Sequence, residues 1–171
     1  MGLGLFSNNR ITRKNILEAL SGFFDVGYKS LTQGLIETFE GKIEINEKQK
    51  SELMIVSMLA VSEATSKTWG KLGEEKEIVG RKAREVILKK YFSNTAELEQ
   101  FEELFRDRLD EYLKIGFDPL QFGQVFCKHF FEEKEGGTPA VMFFIGTSHS
   151  NQMIEVKKFF DEVMAKCVFD W

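Results

Sequence analysis

Proline placement is the strongest constraint on how this chain can fold. Two prolines occur in 171 residues, and both have the same local setting. Asp118-Pro119 and Thr138-Pro139 each put a helix-capping side chain directly before the proline. At the first helical position proline loses nothing, because the N–H it lacks would have no intrahelical partner there. No other position carries this breaker, so long uninterrupted helices are permitted. The chain reads as all-α.

Apolar spacing agrees with that reading. After Thr12 as N-cap, Leu17, Leu20, Phe24, Tyr28, Leu31, Leu35 and Phe39 recur every three or four positions, the period of one helix face. Gly22, Gly27 and Gly34 interrupt the run and predict a kink or break between Gly22 and Gly27. Gly41 stands where a left-handed C-terminal cap belongs. Lys42–Ile45 alternates like a strand but has no partner, so it reads as an extended linker. Asn46 then caps a second helix to about Lys67, ended by Gly70 and Gly73. Its centre, Leu53–Val61, is apolar on nearly every side, as in a helix surrounded by others.

A third helix spans roughly Glu74–Tyr91, acidic first and basic last, the order that the helix dipole favours. Asn94 with Glu97 resembles a capping box for a fourth helix, whose stripe of Leu98, Phe101, Phe105, Leu109, Tyr112 and Leu113 closes at Gly116. The proline-started helices five (about Pro119–Glu132) and six (about Pro139–Val168) flank a loop holding Gly136-Gly137. Ala140–Ile145 has an alternative as a buried strand. One helix is preferred, because Met142, Ile145, His149, Met153, Val156, Phe160, Val163 and Cys167 keep helical register. The expectation is one domain over residues 1–171, a bundle of about six helices with residues 1–11 loosely ordered.

Composition narrows the chemistry. Phenylalanine occurs 17 times against 3 Tyr and 2 Trp, so the core is either closely packed or surrounds an apolar cavity. The net charge of −4, with acids and bases interleaved, leaves no basic footprint for nucleic acid. The run Arg81-Lys82-Ala83-Arg84 has glutamates on both sides and reads as a solvated face. Cys127 and Cys167 lack CxxC spacing, which implies a reducing, cytoplasmic setting. No apolar run approaches the roughly 20 residues of a membrane-spanning helix. The apolar N-terminus lacks a signal peptide's basic region, and Phe6 occupies the position where a myristoylation motif needs Ser or Thr.

His129 and His149 are the only histidines, each on the apolar stripe of its helix. If helices five and six form an antiparallel hairpin, His149 faces the region near Gln121 or Phe122, roughly 12 Å along the axis from His129. One shared metal ion is then not expected, nor is a metal site, cofactor or catalytic set. HExxH, Glu-x-x-His pairs, GxSxG and phosphate-loop motifs are absent. An enzyme ranks low on these grounds, although carboxylates such as Glu63 on the buried second helix stay in view. The polar run from Gly146 to Gln152 breaks the apolar pattern of helix six. It is either a local bend bonded back to the main chain or a polar patch on a pocket wall, with His149, Thr147 and Asn151 orienting a ligand. His129 and Tyr112 complete the candidate ligand-binding residues.

Ile115-Gly116-Phe117-Asp118-Pro119-Leu120-Gln121-Phe122 resembles the junction between helices F and G of sensor-type globins, with Tyr112 where the proximal histidine stands. The likeness covers this junction alone. It implies a globin-like domain without conventional haem ligation, acting as a signalling module. Two functions follow as expectations. One is a non-enzymatic helical protein working through protein contacts or self-association, with Leu3, Leu5, Phe6, Phe159, Val168, Phe169 and Trp171 as surplus apolar surface. The other is a sensor or carrier holding an apolar small molecule in a Phe-rich pocket between helices.

Overall fold

The computed structural model describes residues 10–68, 75–115, 118–132, 137–166 and 168–170, with side chains for 12–66, 77–115, 118–132 and 137–162. In chain order the elements are β1 (Arg10–Thr12), α1 (Arg13–Thr38), α2 (Glu47–Thr68), α3 (Glu75–Tyr91), α4 (Thr95–Ile115), α5 (Pro119–Phe130), α6 (Pro139–Lys166) and β2 (Val168–Asp170). The protein is an all-α single-domain bundle, with six helices among the described residues. Gly70, Gly73, Gly116, Gly136, Cys167 and Trp171 lie outside the described residues, as do Leu3, Leu5 and Phe6.

Five of the six helices, α1, α2, α4, α5 and α6, start on the side chain that the sequence offers. Thr12 and Asn15 form a reciprocal capping box at α1, and Asn46 with Gln49 does the same at α2. Asn94 accepts the Ala96 N–H at α4. Asp118 accepts from Leu120 and Gln121 ahead of α5, and Thr138 accepts from Val141 at α6. These caps satisfy orphan donors that a helix start would otherwise leave unpaired. At the end of α1, Glu40 rather than Gly41 takes the first left-handed position (φ 51°), and Gly41 follows at φ 73°. The Gly41 N–H reaches the Ile36 carbonyl and the Glu40 N–H that of Glu37, the two bonds of a Schellman cap.

α2 sits at the centre and touches every other helix. All residues from Glu52 to Val61 are buried, as its nearly all-round apolar pattern anticipated. Residues 42–46 form the expected linker, and Ala140–Ile145 is helical. The break expected in α1 does not occur, since the helix is continuous through Gly22 and Gly27. Glycine serves close packing instead, with the Gln152 side chain of α6 seated against Gly27 and the Phe144 ring against Gly34.

One sequence expectation is corrected at the chain ends. α6 ends at Lys166, not Val168. Residues 10–12 form β1, which pairs in parallel with β2, Arg10 opposite Val168 and Thr12 opposite Asp170. Phe159, expected as exposed apolar surface, packs edge-on against Phe23 and Phe160. Nothing in its sequence neighbourhood distinguishes that inward position from an outward one.

α5 and α6 form an antiparallel pair whose backbones nearly touch. A methyl on Gly123 would lie 1.9 Å from the Met142 carbonyl oxygen, and one on Gly146 1.8 Å from that of Pro119. No side chain fits either place without separating the helices. Gly123→Ala and Gly146→Ala should each lower unfolding free energy by roughly 3 kcal/mol, the upper end for overpacking. Gly22→Ala has nothing within 4 Å of the added carbon and should raise it by about 1 kcal/mol. Urea melts showing the same change at all three positions would rule out the close crossing.

Candidate functional site

The α2–α4–α5 junction holds a connected set of charged side chains. Glu52 lies on buried α2, and its side chain is only 4% exposed. Arg108 and Tyr112 stand four residues apart on α4, hence on one helix face, and both reach it. The Tyr112 hydroxyl donates to Oε1 at 2.6 Å, and Arg108 Nε donates to Oε2 at 3.4 Å. The last turn of α5 supplies a basic pair that grips a second α4 carboxylate. His129 Nε2 lies 2.7 Å from Glu111 Oε2, and Lys128 Nζ 3.2 Å from Oε1. Above this set opens a cleft of about 310 Å³ lined by Lys48, Arg108, Lys128, His129 and Glu132. Lys48 of α2 pairs with Glu132, which follows α5 with φ 52°.

Electrostatics mark the same group. Burial pushes the Glu52 carboxyl up, opposed by the Tyr112 hydrogen bond and the charges of Arg108 and His129. Burial, and then the adjacent Glu52, raise the Tyr112 hydroxyl well above the tyrosine range. Partial burial acts to raise Glu111, but hydrogen bonds from His129 and Lys128 outweigh it and hold that carboxyl low. The Arg108 side chain is 19% exposed, and its two Nη nitrogens have no hydrogen-bond partner among the described residues.

A second polar group stitches α6 to α1 and α2. His149 is buried, and its Nδ1 lies 3.3 Å from the Val56 carbonyl oxygen. A carbonyl only accepts, so Nδ1 carries the proton. Gln152 Nε2 donates to the carbonyls of Phe23 at 3.2 Å and Ser57 at 3.4 Å. Among the described residues, the buried Ser57 Oγ and Gln152 Oε1 have no hydrogen-bond partner.

The five sequence-derived residues therefore divide. Tyr112 and His129 both belong to the charged junction. His149 faces inward, and its ring stacks on Phe122 at 4.1 Å, the neighbour that the hairpin geometry anticipated. Phe122 also lies 4.7 Å from the Tyr112 ring, so one aromatic row links the two polar groups. Thr147 Oγ1 bonds back to the Phe143 and Phe144 carbonyls, and Asn151 is exposed. These three α6 residues do not converge on one point.

Glu52, Arg108 and Glu111 were not anticipated. Glu52 had a readable signal, since it directly precedes the all-round apolar run of α2. Glu63, the carboxylate singled out on that helix, is half-buried instead. Arg84 of the basic run lies 5.6 Å over the Phe105 ring, while Arg81 and Lys82 are exposed. Cys127 is buried, which pushes its thiol up to about 11. Among the described residues, no group of three or more His, Cys, Asp or Glu side chains is placed to hold a metal ion, and no helix is long and apolar enough to cross a membrane. No family model, curated protein or solved structure matches the chain.

Two substitutions test the network. Tyr112→Phe leaves Glu52 without its closest donor and should cost about 2 kcal/mol in urea melts. The folded pKa of Glu52 lies above its unfolded value, so its contribution to stability is complete below the unfolded pKa and is lost as pH rises through the folded one. Glu52→Gln removes that slope. Relative to wild type, the variant should gain stability as pH rises above the ordinary carboxylate value of 4.5. A difference that stays flat with pH would mean that Glu52 is solvated.

Proposed function

We propose that this chain is a non-enzymatic helical protein acting through protein–protein contacts in a regulatory or structural role, with a second copy of itself as partner. The supporting observation is the outer face of α6. Phe143 is 60% and Ile154 54% exposed, the highest values among the large apolar side chains described. They stand three helical turns apart on one line, with the short side chains of Thr147 and Ser150 between them. This spacing is symmetric about a point between Ser148 and His149. Two antiparallel copies related by a two-fold axis there would set Phe143 of each against Ile154 of the other. Single exposed apolar residues are ordinary; a self-complementary arrangement is what favours this reading. Light scattering at micromolar concentrations should give a dimer, and Phe143→Asp a monomer of unchanged helicity. A wild-type monomer under those conditions overturns the reading.

A second reading is a small-molecule carrier, favoured by the unsatisfied Ser57 Oγ and Gln152 Oε1 beside His149. Buried polar atoms without partners are uncommon, and a ligand with an apolar body and one polar group would satisfy them. Native mass spectrometry of freshly purified protein, with thermal shifts against fatty acids and haem, tests it. No bound species and no shift would remove it.

A further inference from the structure

We infer that the cleft at the α2–α4–α5 junction binds the dianionic phosphate group of a small monoester, with Arg108 as the principal contact. Four of the five lining residues, Lys48, Arg108, Lys128 and His129, are basic or can become so, and they come from three different helices. The volume of about 310 Å³ matches the lower end of small-molecule sites, about 300–1,000 Å³. It leaves room for the group that carries the phosphate.

Arg108 is prepared for this role. Its Nε is held from behind by buried Glu52, and its two Nη nitrogens have no partner among the described residues. A guanidinium fixed on one edge presents the other as a planar fork, which suits two oxygens of one phosphate. His129 uses Nε2 for Glu111, and Nδ1 has no partner among the described residues. The opposing charges are Glu52, Glu111 and Glu132. Glu52 is shared with Tyr112, and the other two engage Lys128 and Lys48 in pairs whose lysines are at least half-exposed. Such pairs contribute little, so an incoming dianion can draw both lysines from their carboxylates at small cost. A single carboxylate ligand would occupy Arg108 alone and leave the other donors unused.

Titration calorimetry on the full chain uses inorganic phosphate, O-phosphoserine and a phosphoserine peptide, with serine and acetate as controls. Saturable binding is expected for the phosphate compounds and not for the controls, weakening as salt rises. O-phosphoserine binding as tightly as the peptide identifies a free small ester as the source; tighter peptide binding identifies a phosphorylated partner. Arg108→Lys keeps the charge but loses the fork and should weaken binding roughly tenfold. Lys128→Met, at a half-exposed position whose ion pair contributes little to stability, should weaken it roughly threefold. No saturable binding of any phosphate, acetate binding equally well, or affinity unchanged in both variants would overturn the inference.

Discussion

A helix buried on every side cannot hide a polar atom behind solvent, and α2 is such a helix. Each polar group on its central turns must find a partner in a neighbouring helix or remain unsatisfied at a cost. Glu52 meets this demand with Tyr112 and Arg108 of α4. The Val56 and Ser57 carbonyls accept second hydrogen bonds from His149 and Gln152 of α6. The charged junction and the α6 stitch thus have one origin. Both are the polar consequence of placing α2 in the middle.

The α5–α6 pair sets where these groups meet. Because Gly123 and Gly146 let the two backbones nearly touch, Phe122 reaches the His149 ring while remaining against Tyr112. A wider spacing would open a gap in that row, and close-packed interiors lose dispersion contacts when gaps form. The basic end of α5 lies beside Glu111 of α4. α5 thus carries both the backbone contact with α6 and the basic wall of the cleft that it shares with α2 and α4.

Much of the site was hidden for a physical reason. Tyr112, His129 and His149 stood out because a polar tip on an apolar stripe conflicts with its surroundings even in one dimension. Arg108 and Glu111 sit among many charged residues of α4, where local spacing gives no sign that they face inward. Glu52 is legible in principle at the edge of the apolar run, whereas Glu63 lies beyond that run and is half-buried. Thr147 followed local rules, bonding back to the main chain as short hydroxyl side chains in helices do. Asn151 had no internal partner to seek and faces outward.

Six helices, their caps, and the central burial of α2 could be read from the chain alone, because each depends on neighbours within a turn or two. Proline at two helix starts, capping side chains and the 3.6-residue period all act locally. Tertiary structure decided everything that depends on distant parts of the chain. It paired residues 10–12 with 168–170, kept α1 whole by seating α6 side chains on its glycines, and brought Glu52 to Arg108 across 56 positions. Glycine illustrates the division. Locally it weakens a helix, and only a second helix lying against it turns that weakness into a fit.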